Sequence, residues 1–171
     1  GQTVSSGTFN AIARPLGVVY LAILAVCPLL AWGKTLRSKF LKQARTPAIC
    51  ALVLFAVLAV YWATYLVPSY NGIIAAGGTA AEELASDGPA WYYNGLALVG
   101  FFVASMLLFN SLFMLGRIVR SYKESHSCGA VAAFGGCLRN RPASFGGFLS
   151  HAAMAVILVG LIGSSMYVTE K

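Results

Sequence analysis

Only 10 % of the 171 residues are charged and 58 % are hydrophobic, giving a mean hydropathy of +0.76. A soluble domain carries about a quarter charged residues, so the composition excludes an ordinary water-soluble enzyme and a disordered tail. The net charge of +7 would suit a nucleic-acid binder if it formed a surface, but it is confined to two segments between apolar runs.

Four runs are long enough to cross a bilayer, which takes about 20 apolar residues each. They cover about residues 11–32, 47–67, 91–116 and 145–168. Each is continuously apolar, where a barrel strand would alternate over about ten residues. The expected fold is therefore an all-α integral membrane protein with four transmembrane helices in a single domain.

The polar opening, residues 1–10, has no basic segment and does not read as a signal peptide; with no initiator methionine, the chain is expected to be processed or part of something longer. The first run carries Arg14 and Pro15 near one end and Cys27, Pro28 and Trp32 near the other. A short basic loop, 33–46, makes the first two runs antiparallel neighbours. Pro47 suits the first turn of the second run, which closes on Tyr61, Trp62, Tyr65 and Pro68, an interfacial aromatic belt.

The loop 68–90 is rich in Gly, Ala and Ser and reads as a solvated connector. Its middle offers a short helix capped by Thr79, with Glu82 completing a capping box. The third run starts on Trp91, Tyr92 and Tyr93 and carries Asn94, Ser105, Asn110 and Ser111, polar groups expected to bond a neighbouring helix. Its pattern continues past Gly116 through Arg117, Arg120 and Lys123, so the helix should project beyond the membrane. The second basic loop, 117–144, has no strong pattern after Glu124.

Ten of the twelve basic residues fall in the two basic loops, whereas Glu82, Glu83 and Asp87 fall in the loop between. By the positive-inside rule both basic loops are cytoplasmic and both termini lie on the outer, periplasmic side. Cys128 and Cys137 are then in a reducing compartment. His126, Cys128 and Cys137 are an imaginable zinc set, but the spacing is wrong and no fourth ligand is evident. No Cys-x-x-Cys-His is present, so the chain carries no covalent haem of its own.

His151 stands about a third of the way into the fourth run, which bears no charge until Glu170. An ionisable side chain there costs roughly 2–3 kcal/mol and faces a partner. Three readings stay open: an imidazole hydrogen-bonded across a helix interface, an axial ligand to haem iron, or a proton relay. Helical spacing aligns Gly147, His151, Ala155, Leu158 and Ile162. Small residues at minus and plus four would leave a flat slot beside the imidazole for a porphyrin edge. Arg139 and Arg141, at the inner headgroup level, are candidates for holding haem propionates, and equally serve as positive-inside anchors. Gly160, Gly163, Ser164 and Ser165 would allow close helix approach.

Phe145, Gly146, His151, Gly160, Gly163, Ser164, Ser165 and Tyr167 resemble the late membrane segment of the bacterial cytochrome c haem lyases of the CcmF type. Phe9-Asn10, Pro15-Leu16 and Pro28-Leu29-Leu30-Ala31-Trp32 resemble that family's entry and exit motifs. The resemblance implies that His151 is an axial, metal-ligating residue of a haem b, with the second axial ligand from a partner chain or another segment. It implies attachment of a separate haem to apocytochrome c through two thioethers, at the outer side of a bacterial inner membrane. The family's tryptophan-rich loop, outer histidines and second membrane histidine have no counterpart here, and His126 lies on the wrong side. The resemblance therefore implies a split subunit or C-terminal portion of a haem lyase with no catalytic residue of its own. Its expected partners are the remainder of the lyase, apocytochrome c, a haem chaperone and membrane lipid.

A membrane-anchor subunit of a respiratory complex, binding haem b or quinone, is the rival reading; such anchors normally supply two membrane histidines. A helical assembly or transport subunit without cofactor is a third.

Overall fold

The computed structural model describes residues 6–26, 37–86 and 89–167, and every regular element among them is helical. They are α1 (Ser6–Val26), α2 (Arg37–Tyr61), a π-helical turn (Trp62–Leu66), α3 (Val67–Ala76), α4 (Thr79–Ser86), α5 (Ala90–His126), α6 (Ala130–Asn140) and α7 (Pro142–Tyr167). Three stretches are long and apolar enough to cross a membrane: Leu41–Ala76, Ala90–His126 and Pro142–Ser164; Ile12–Val26 is a shorter apolar helix. This is the architecture of an all-α, multi-pass membrane protein. The expected inner end of the first run, with Cys27, Pro28 and Trp32, lies outside the described residues, as do Asp87, Val168 and Glu170.

α5 is the central helix, and α1, α2, α6 and α7 all pack on it. Arg14 lies over the Tyr93 ring, 5.3 Å from its centroid, and Asn110 donates to the Ala25 carbonyl at 2.7 Å. α1 therefore runs in the same direction as α5. Arg117 meets Gln43, Phe55 meets Phe102 edge-on at 5.5 Å and Tyr70 meets Tyr93 at 5.6 Å, so α2–α3 runs the opposite way. Gly100 opposite Ile162, and Phe145 clustered with Leu115 and Tyr122, set α7 antiparallel to α5.

Pro47 corrects the sequence reading. It lies inside α2, ten residues after Arg37, and is buried. A proline there cannot donate to the carbonyl four residues back. That carbonyl is Gln43's, and Arg117 Nη2 of α5 takes it at 3.4 Å. Most of the expected basic loop is thus helix, and its Lys39, Lys42 and Arg45 ride on α2.

Most of the described part of the connector 68–90 is also helical. The chain leaves α2 through the π turn, where the Val67 N–H reaches back to the Trp62 carbonyl, and continues as α3 with Pro68 in its first turn. Gly77 and Gly78 end it, with φ of 69° and 84° that disfavour a side chain. α4 then starts with Gly78 as cap residue, whose carbonyl accepts from the Glu82 N–H at 3.1 Å. This is one residue before the predicted Thr79 cap. Tyr70 and Leu84 are buried with Leu66, Tyr93, Ala97, Phe101 and Ile162, so the segment caps one end of the bundle. Ile73 packs against the same cluster, so three large side chains among Gly, Ala and Ser dock the segment.

At the other end α5 runs to His126 and stops with Ser127 in the left-handed conformation, its N–H on the Lys123 carbonyl. α6 follows where no pattern predicted structure. Ala133, Gly136 and Cys137 share one face by spacing three and four, and small side chains hide an amphipathic pattern from any hydropathy count. Ala133 and Cys137 are buried with Leu115, Tyr122 and Phe145. Asn140 Nδ2 donates to the Tyr122 hydroxyl at 2.8 Å, and the Arg141 N–H caps on the Cys137 carbonyl at 2.9 Å. Pro142 then opens α7 at the first-turn position it suits.

Gly136 allows this docking. A Cβ there would come 2.6 Å from Tyr122 Cζ and 2.7 Å from its hydroxyl oxygen, and the ring is tied to Asn140. Gly136→Ala should cost about 1–3 kcal/mol of α6 docking as overpacking. Maleimide labelling of the buried Cys137 should accelerate roughly 5- to 100-fold if it proceeds through local opening. An unchanged rate would mean that the ring moves aside freely.

Candidate functional site

His151 sits on α7, half-buried, with Phe148 edge-on to it at a centroid distance of 6.4 Å. Its Nδ1 is enclosed and has no hydrogen-bond partner. Across the described residues, two other buried side-chain atoms share that state: Asn110 Oδ1 and Ser111 Oγ, both on residues with no exposed surface.

The α5–α7 register sets these three at one level of the bundle. Leu107 and Ala155 lie in one buried cluster with Val103, Leu21 and Ala25. One turn along α5 from Leu107 is Ser111, and one turn back along α7 from Ala155 is His151. The helices are antiparallel, so both steps lead to the same level of the bundle. In hydrocarbon such groups find partners, because an unsatisfied one costs several kcal/mol.

The expected polar pairs divide. Ser105 Oγ donates to the Phe101 carbonyl of its own helix at 2.8 Å, and so bonds no neighbour. Asn110 crosses to α1 through Nδ2. Ser111, on the same helix as Ser105, makes no such back-bond. Sequence reading named Asn110 and Ser111 as interhelical polar groups but not as company for His151. The available signal was an adjacent polar pair whose antiparallel register falls at residue 151.

The anticipated slot is open at one end and closed at the other. Gly147 is exposed, and a Cβ built on it meets nothing within 4 Å. Ala155 is 1 % exposed and packed against α1 and α5, so it belongs to the core and lines no slot. Ile162 is likewise core. Arg139 ends α6 and Arg141 lies one residue before α7; both are exposed. Arg141 is ten residues from His151, about 15 Å along a helix axis.

A separate apolar cavity of about 270 Å³ lies between α1, α5 and α7, lined by Arg14, Gly17, Leu21, Leu96, Leu158 and Leu161 among others. His126 stacks on Tyr122 at 4.0 Å, and Cys137 is buried with its Sγ near the Ile118 carbonyl at 3.8 Å. No group of three or more His, Cys, Asp or Glu is placed to hold a metal ion among the described residues, so His126, Cys128 and Cys137 form no zinc site.

No protein-family model, curated protein or solved structure matches the chain.

Proposed function

We infer that this chain is a subunit or segment of a CcmF-type cytochrome c haem lyase and that His151 supplies one axial ligand to a haem b. The four runs cross a bacterial inner membrane with both termini periplasmic, on the charge asymmetry of the loops. The observation that carries the reading is His151 itself: half-buried at the flank of the bundle, with Nδ1 enclosed and unpartnered and open space beside Gly147. A ligand whose remaining coordination is completed by another chain needs that arrangement. The sequence resemblance through residues 139–170 supplies the family.

The residues fit the group in part. His151 would ligate the iron and Gly147 would admit the ring edge, while Ala155 takes no part. Arg139 and Arg141 are free of the core for propionates or for lipid phosphates. The bound haem would supply one-electron chemistry that keeps a substrate haem's iron reduced, or would brace the assembly. The second axial ligand, the tryptophan-rich haem-handling loop and the site of thioether formation come from the rest of the lyase. Apocytochrome c and a haem chaperone are the further partners.

The 270 Å³ apolar cavity, with Arg14 in its lining, favours one rival: a respiratory membrane anchor taking a quinone. A pyridine-haemochrome spectrum of the detergent-purified assembly, alongside a holo-cytochrome c assay in cells lacking the chain, separates the two. The lyase reading requires b-type haem in the assembly and failure of cytochrome c maturation without the chain. Intact maturation would discard it.

A further inference from the structure

We propose that Asn110 and Ser111 are positioning residues for His151, holding its proton on Nδ1 and leaving Nε2 as the outward lone pair. The inference deepens the haem reading and rests on it only for the identity of what Nε2 binds.

The argument starts at Ala25. Its carbonyl accepts from Asn110 Nδ2 at 2.7 Å, and only the nitrogen end of an amide can make that bond. The amide is therefore pinned, and Asn110 Oδ1 is a buried acceptor with no donor in contact. Ser111 Oγ, at the same level and without the back-bond that satisfies Ser105, adds a group that accepts or donates. A pinned acceptor in a buried interface draws a donor. His151 Nδ1, enclosed and opposite in register, is the titratable atom able to provide one. No two of the three atoms are in direct hydrogen-bond contact, and they match the roughly three bonds a buried water makes, so the link runs through one water that accepts from Nδ1–H and donates to Asn110 Oδ1 and Ser111 Oγ.

In neutral imidazole one nitrogen donates and the other accepts, and the bond made by one decides the state of the other. A proton held on Nδ1 makes Nε2 the metal-binding atom, the relation by which outer groups orient ligating histidines. The node also accounts for an otherwise costly arrangement, three buried polar groups at one level of a membrane bundle.

The test is 15N NMR of the haem-free, 15N-histidine-labelled chain in lipid nanodiscs, recorded with the imidazole neutral. A His126→Gln background leaves one imidazole to read. The proposal expects the Nδ1–H form to dominate. Ser111→Ala and Asn110→Leu should each lower the ratio of Nδ1–H to Nε2–H about five- to tenfold, the scale of one net hydrogen bond. Ser111→Ala keeps the Asn110–Ala25 bond and so tests the node even if Asn110→Leu loosens α1. A dominant Nε2–H form, or ratios unchanged in both variants, overturns the proposal. Since no haem is present, a failure here is distinct from a failure of the assembly to bind haem.

Discussion

The His151→Ala chain should accumulate and fold as the wild type does, yet lose the low-spin b-type signal and holo-cytochrome c together. Removing a first ligand should exceed the 10- to 100-fold loss typical of an outer partner, so haem retention should fall by at least about 100-fold. Stability should barely change. Nδ1 of His151 makes no direct hydrogen bond to the protein, the residue is only half-buried, and alanine removes a buried polar atom whose link to α5 runs at most through water. This separation of effects gives the experiment its force. A purely structural histidine, whose direct bond across the interface held α7 in place, would do the reverse, with α7 loosening and no specific loss of spectrum. Loss of haem with cytochrome c maturation intact would point to the respiratory anchor. An unchanged spectrum in a well-folded variant would remove His151 as a ligand.

Phe145→Ala should produce the largest structural change. Phe145 is 1 % exposed, where α5, α6 and α7 meet. It packs on Leu115, Tyr122, Ala133 and Cys137 and takes Phe134 edge-on at 4.9 Å. Truncating a buried phenylalanine costs about 3–5 kcal/mol, the transfer term plus the cavity left behind. The cost should fall on α6, an 11-residue helix held by this cluster and a few hydrogen bonds. Labelling of Cys137 should therefore rise by roughly 100-fold or more, through local opening. Labelling of Cys50, on α2, should stay unchanged. Equal acceleration at both thiols would mean that the bundle opens as one unit and that α6 has no independent docking equilibrium.

Hydropathy alone was sufficient for the membrane class, because each span must be apolar along its own length whatever it packs against. It also marked His151, since an ionisable group in a long apolar run is conspicuous without any structure. The proline and glycine positions carried less. Pro47 reads as a helix start, but its missing hydrogen bond concerned a carbonyl on α2 that Arg117 of α5 takes up, and no local pattern contains that pairing. The segments of α3 and α6 read as connector because their compositions are small or polar, and α4 reads only as a short helix that a capping box offers within one. Their helical state depends on a few contacts with distant residues: Tyr70 and Leu84 on Tyr93, and Gly136 against the Tyr122 ring.

The candidate site divides in the same way. Residue type and hydropathy single out His151, and helical periodicity alone aligns Gly147 and Ala155 with it. Only the packing of α7 on α5 and α1 separates those two, leaving Gly147 open and burying Ala155 beside Leu107. The same antiparallel register brings Asn110 and Ser111, about forty residues away in sequence, to the level of the imidazole. A helix's period is a property of its own chain, but the face that becomes an interface, and the residue opposite, is set by the neighbour.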